Sequence, residues 1–206
     1  MTYSNLSIRK VNNIERQIEL YKHKTVEIIE AENAAKYLVF NSGERSLKLR
    51  DFYEYYIDDQ PLINILSKYY WNIEANENSK FFNTHVGCLG GFGLFWDEIS
   101  ISILTNKDFN SAQVRSLVNI FRSNLIDSAN YTSIQSRVIK HVRENFLMYC
   151  CQDCGDSGCG GISLNIEKGN NTTIWTDNDK IEIHFNTTKY NQVLQQFISK
   201  RRLELN

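Results

Sequence analysis

The sequence predicts an α+β fold: an antiparallel sheet packed by several helices in a single compact domain. Three observations carry this. Short runs alternate apolar and polar residues, as at Ile162, Leu164 and Ile166, the period of a half-buried strand. Other stretches space apolar residues by three and four, as at Val114, Leu117, Val118, Phe121 and Leu125, the period of an amphipathic helix. Finally, the chain has 206 residues, 42% of them hydrophobic, a single proline at Pro61, and no long linker rich in Pro, Gly or Ser. A chain of that size can bury one core without splitting into tethered domains. Residues 1–206 are therefore expected to form one domain. Its first part, 1–145, is helix-rich with a strand at 94–104; its second, 146–206, holds a cysteine turn, a β-meander and a C-terminal helix.

Taken in order, Ile14, Ile18 and Tyr21 predict a short helix over Asn13–Lys22, and Thr25–Ile29 and Tyr37–Phe40 are β-prone. Residues Asn41 to Glu44 form a turn, after which Leu47, Phe52 and Tyr55 or Tyr56 line one face of a helix. Pro61 suits the first turn of the next helix, Leu62–Tyr70, because its ring pre-sets φ and its missing N–H costs nothing there. Glu74–Lys80 is a polar loop. Ile99, Ile101 and Ile103 alternate with Glu98, Ser100 and Ser102, which predicts a strand. Asn110 or Ser111 caps the helix that carries Val114 to Leu125, and a further helix spans Ser133–Asn145. Phe146–Tyr149 is a short apolar strand. Beyond the cysteine turn come the strand of Ile162, Leu164 and Ile166, a hairpin turn at Gly169-Asn170-Asn171, and strands at Thr173–Thr176 and Lys180–Phe185. Asn186 or Thr187 caps a last helix with Tyr190, Leu194, Phe197 and Ile198 inward.

The formal net charge of −1 argues against a nucleic-acid partner, which basic excess normally accompanies. Lys200, Arg201 and Arg202 suit the negative end of a helix dipole. Residues 1–10 lack the apolar core of a secretory signal, and no apolar run is long enough to cross a membrane. A cytoplasmic location is expected, with the five cysteines reduced and available for metal or simple burial.

The segment Tyr149 to Gly161 holds the chemistry. Cys151 and Cys154 form a C-x2-C pair, the spacing that turns two thiolates toward one ion. Gly155 follows the pair, where a positive φ would exclude a side chain, and Cys159 can supply a third sulfur. Tetrahedral zinc needs a fourth donor, and His85 and Cys88 are the remote candidates. Eight of the ten glycines lie at 87–93 and 155–161, so two glycine-rich loops, each bearing cysteine, could approach closely. The expected metal ligands are Cys151, Cys154 and Cys159 with Cys88 or His85, and the expected cofactor is zinc. The bland alternative is a tight turn of small buried residues, since free cysteine is among the most buried side chains. A redox pair would open a helix in a βαβ unit, which the pattern lacks.

Other signals are weaker. Gly155-Asp156-Ser157-Gly158 matches the tetrapeptide around a serine-protease nucleophile, but no histidine in a matching context accompanies it, and Ser157 is a turn residue. The glycines of 87–93 precede a β-like run and no helix, unlike a nucleotide loop. Trp96-Asp97-Glu98 places two adjacent carboxylates on what reads as a strand, where neighbours face opposite sides, so they make a poor acid–base pair. His184 lies in a strand, where hydrogen bonding satisfies most histidines.

From Tyr149 to about Phe197 the chain resembles a group of short, uncharacterised bacterial proteins that share C-x2-C-G-D-x-G-C-G, a strand, a Trp-bearing strand and a closing helix. The matching residues are Cys151, Cys154, Gly155, Asp156, Gly158, Cys159 and Gly160, then Trp175, Phe185 and Tyr190. Cys150 and the region Trp71–Gly93 are departures from that pattern. The resemblance implies that Cys151, Cys154 and Cys159 act together, and no activity comes with it. With no catalytic set in view, the expected function is non-enzymatic protein binding, of an accessory or immunity type, on a zinc-stiffened surface. The alternative is a small zinc- or cysteine-dependent enzyme, for which three protein ligands and an open position would suffice.

Overall fold

The computed structural model describes residues 2–12, 51–70, 85–90, 92–105, 142–151, 161–177 and 180–204. The helix expected at 13–22, the strands at 25–29 and 37–40, the turn at 41–44, the loop at 74–80, the helix of 110–125 and the turn residues 152–160 lie outside them. Of the helix expected at 133–145, residues 142–144 are described and helical. Helices and antiparallel strands alternate along the chain, so the fold is α+β, as expected. Two compact units share it. One comprises 1–3, 94–146 and 164–206; the other comprises 4–93 and 147–163.

In the second of these units, β1 (Leu6–Val11) pairs antiparallel with β2 (Phe52–Ile57), and β2 with the two-residue β3 (Gln60–Pro61). The β2–β3 hairpin turns on Asp58 and Asp59, with φ of 48° and 65°. Positive φ at both central residues matches the right-handed strand twist, and short acidic side chains tolerate it. The N–H of Asn5 donates to Asp58 Oδ1 at 2.8 Å and the N–H of Asp58 to the Asn5 carbonyl at 2.9 Å, fastening the turn to the chain before β1. The helix read through Phe52 and Tyr55 is therefore corrected to a strand. Phe-Tyr-Glu-Tyr-Tyr-Ile is rich in the aromatic and β-branched residues that strands prefer, and pairing to a remote segment outweighs a local 3.6-residue spacing. Helix α1 (Leu62–Tyr70) starts directly after Pro61 and buries Leu62, Ile63 and Leu66. The short strand β4 (His85–Gly87) pairs with β5 (Phe146–Cys151).

In the other unit, residues 94–105 form helix α2 (Leu94–Thr105), not the strand expected at 94–104. The alternation of Ile99, Ile101 and Ile103 arose because the helix buries two sides. At 100° per residue, Asp97, Ile101, Leu104 and Thr105 gather on one face, and Ile99 and Ile103 on another, and all six are buried. Strands β6 (Ile162–Lys168), β7 (Thr172–Asp177) and β8 (Ile181–Asn186) form the expected meander. The N–H of Gly169 donates to the Thr172 carbonyl at 2.8 Å and closes the first hairpin.

Helix α3 (Thr187–Glu204) covers the meander. Asn186 Oδ1 accepts the N–H of Lys189 at 3.1 Å, the expected N-cap. Tyr190, Leu194, Phe197 and Ile198 are buried. Trp175 is fully buried between Phe185 and Tyr190, with ring centroids 4.9 and 5.9 Å away, and its Nε1–H donates to the Tyr190 hydroxyl at 3.2 Å. Burial pushes the Tyr190 phenol far up, against the opposing pull of that hydrogen bond. Near its end, α3 turns Arg201 inward, and Nε donates to Asp97 Oδ2 of α2 at 2.9 Å; Arg202 makes a 2.8 Å bond to Glu98 on the exposed side.

Asp97→Ala removes one of the carboxylates that meet the buried Arg201 guanidinium, Glu204 at 3.1 Å being another, and should lower stability by about 2–3 kcal/mol in denaturant unfolding, whereas Asn186→Ala, a lost cap, should cost about 1 kcal/mol. Equal effects would contradict the burial of the Arg201–Asp97 pair. Lys168 provides a second check. Its ammonium donates to Asn191 Oδ1 at 2.6 Å; burial first, then the charge of Arg143, lower its pKa from 10.5 to about 8. Between those values the unfolded chain binds more protons, so this residue makes stability rise with pH across the window. The slope of melting temperature against pH from 8 to 10.5 should be flatter in Lys168→Met than in the parent.

Candidate metal centre

Two of the candidate residues, His85 and Cys151, lie on β4 and β5 in the unit of residues 4–93 and 147–163. Their register opposes His85 to Cys151, Val86 to Cys150 and Gly87 to Tyr149. Directly opposed residues in an antiparallel pair have Cα atoms about 4.5–5.5 Å apart. Of the five candidate ligands, the structure thus brings His85 and Cys151 to adjacent register positions. Cys154 and Cys159 lie outside the described residues. Cys88 continues the ladder, its N–H donating to the Met148 carbonyl at 3.0 Å.

The half-buried Cys88 packs against a buried cluster of Phe52, Val86 and Cys150. A hydrogen bond with Cys150, then burial, then the charge of Cys150 when ionised all hold the Cys88 thiol well above its ordinary range. Cys150 is fully buried, and its Sγ also lies 3.8 Å from the Val86 carbonyl oxygen. These two thiols are small core residues, the setting in which free cysteine is chemically quiet.

Two glycines permit this packing. A β-carbon on Gly87 would lie 2.5 Å from the Tyr53 carbonyl oxygen, and one on Gly90 would lie 2.7 Å from the Tyr53 ring. Gly90 also has φ of +83°, which side chains other than glycine rarely adopt. The N–H of Tyr53 donates to the Leu89 carbonyl at 2.9 Å, so β2 lies against the glycine loop, backbone on backbone.

A buried carboxylate, Glu54, sits in this packing and accepts a hydrogen bond from the Tyr149 hydroxyl. Sequence inspection missed this pair because it joins residues 95 apart. It also set Cys150 aside as an extra cysteine. The run Phe146 to Cys151 was the available signal: an apolar strand with Met148, Tyr149 and Cys150 all buried is enclosed on both sides. Among the described residues, no group of three or more His, Cys, Asp or Glu could hold a metal ion.

Gly87→Ala should destabilise the protein by about 1–3 kcal/mol, since its methyl group meets backbone that cannot rotate away. Gly93, at φ of +89° with nothing within 4 Å, would lose through backbone strain alone on the same change; no measurable loss at Gly87 would show that the close approach to Tyr53 is unimportant. No protein-family model matches the chain, and no curated protein or solved structure shows significant similarity to it.

Proposed function

We propose that this is a non-enzymatic, protein-binding protein, of an accessory or immunity type, whose surface is stiffened by a structural zinc centre of Cys151, Cys154, Cys159 and His85. The observation that supports it is the β4–β5 register, which sets His85 opposite Cys151, the first cysteine of the C-x2-C pair. Cys88, the other candidate for fourth ligand, shares a hydrogen bond and a buried cluster with Cys150 instead. Zinc in such a set would be bound by three thiolates and one imidazole, with no position open to substrate. Tying the end of β5 to the turn and to β4 lets a short loop hold its shape for a partner. No helix among the described residues is long and apolar enough to cross a membrane.

Elemental analysis of the purified full chain should find one zinc per chain. X-ray absorption should show three sulfurs and one nitrogen. Cys151→Ser and His85→Ala should each lose stoichiometric zinc, and Cys88→Ser should keep it. A chain that is stable without metal would overturn the centre. Three protein donors and a bound water would turn the reading toward an enzyme. Because thiolates and neutral imidazole bind the ion, zinc should be released as pH falls.

A further inference from the structure

The outer face of the β6–β7–β8 meander remains unused by that reading. The inner face carries the core residues Leu164, Ile166, Thr173, Trp175, Ile183 and Phe185. The registers set out the other face as two rows. Asn165 opposes Thr176, which opposes Glu182; Glu167 opposes Ile174, which opposes His184. Residues two strands apart in a row are about 10 Å from each other. Between them lies a half-open groove of about 540 Å³, closed at one end by Lys180 and Ile181.

The groove has a mixed character. Ile174 is its half-buried apolar floor, Glu167 and Glu182 are exposed carboxylates on opposite edges, and Asn165 and Thr176 offer hydrogen bonds between them. Lys180 places one positive charge on the rim, so the lining is net −1 with two acidic groups against one basic. Beside it, His184 Nε2 bonds to Glu182 Oε1, while the buried Nδ1 has no hydrogen-bond partner among the described residues. Within the groove itself, the two carboxylates against one ammonium leave charged acceptors in excess of charged donors.

We propose that this groove receives an arginine side chain of the protein partner. It rests on the protein-binding reading for the partner, though not on the zinc centre. An aliphatic stem can lie on Ile174 while a planar, donor-only head reaches the carboxylates on the two edges. Lysine offers a point charge and fewer donors for edges set so far apart. A metal ion does not suit the site, because no group of His, Cys, Asp or Glu among the described residues is arranged to hold one.

The test uses the full chain and N-acetyl-arginine amide as probe, so it needs no partner. In two-dimensional NMR titration, amide shifts should move at Asn165, Thr176 and Glu182 and saturate together. N-acetyl-glutamate amide should move none of them. Glu167→Gln with Glu182→Gln should weaken probe binding about tenfold or more, the loss expected when charge-assisted hydrogen bonds become neutral ones. Lys180→Gln, which removes the opposing charge, should strengthen it. Absence of saturable shifts at the groove, equal response to the acidic probe, or indifference to the double Glu→Gln change would each overturn the proposal. Those failures would leave the protein-binding reading standing; probe binding without any recoverable protein partner would count against that reading and not against the groove.

Discussion

The arrangement of the cysteine-bearing unit depends on one steric constraint: at Gly87 there is no room for a side chain. The Tyr53 carbonyl occupies the place of a β-carbon, and the Tyr53 ring does the same at Gly90. Because the Gly87 contact is backbone on backbone, β2 and the loop from Gly87 to Gly90 approach closely enough for the Tyr53 N–H to donate to the Leu89 carbonyl. That closeness fixes β4, β4 fixes the register of β5, and the register decides which cysteine meets which neighbour. Cys150 falls beside Val86 and joins the core; Cys151 falls opposite His85. A slip of one residue would exchange those environments, since the side-chain period of a strand is two.

The same register places Cys150 in an apolar cluster against which Cys88 packs. Thiols become nucleophilic or metal-binding by losing a proton, and burial without a cation opposes that. Cys88 shares a hydrogen bond with Cys150 beside an apolar cluster, which favours the protonated form of the Cys88 thiol. Glu54, buried on the same unit, is held through the Tyr149 hydroxyl, so its carboxylate is not available as a base without first losing that donor. The Glu54–Tyr149 pair thus joins β2 to β5 through a buried hydrogen bond and helps specify how these strands pack.

How much of this was legible in the sequence depended on how local each cause is. The meander and last helix were: Ile162, Leu164 and Ile166 alternate, Gly169 to Asn171 turn, and Asn186 caps, all within a few residues. The start of α1 after Pro61 was legible for the same reason. Two elements were misread where tertiary burial broke the usual period. Helix α2 is buried on two sides, and its isoleucines imitate a strand; β2 is buried at Phe52, Tyr53, Glu54 and Tyr55 in succession, and shows no alternation at all. Strand β1 passed unnoticed because Leu6 alone is buried along it. At the candidate centre, the C-x2-C spacing marked Cys151 and Cys154, and the histidine nearest the glycine loop was noted. What spacing could not supply was the register that sets His85 opposite Cys151, a pairing across more than sixty residues.

Burial also separates the two acid–base pairs of the helix layer in the other unit. Asp97 and Arg201 are removed from water together, with Glu204 as a second carboxylate on the guanidinium, and the pair pins the first turn of α2 to the last turn of α3. Glu98 and Arg202, one residue along each helix, make a bond of similar length in a wetter place, where screening leaves an ion pair worth about 0–1 kcal/mol. Geometry alone would rank these contacts as equals. The sequence neighbours Asp97-Glu98 and Arg201-Arg202 thus divide into one pair that specifies how the helices meet and one that mainly decorates their surface, and it is the rotation of 100° per helical residue that assigns the roles.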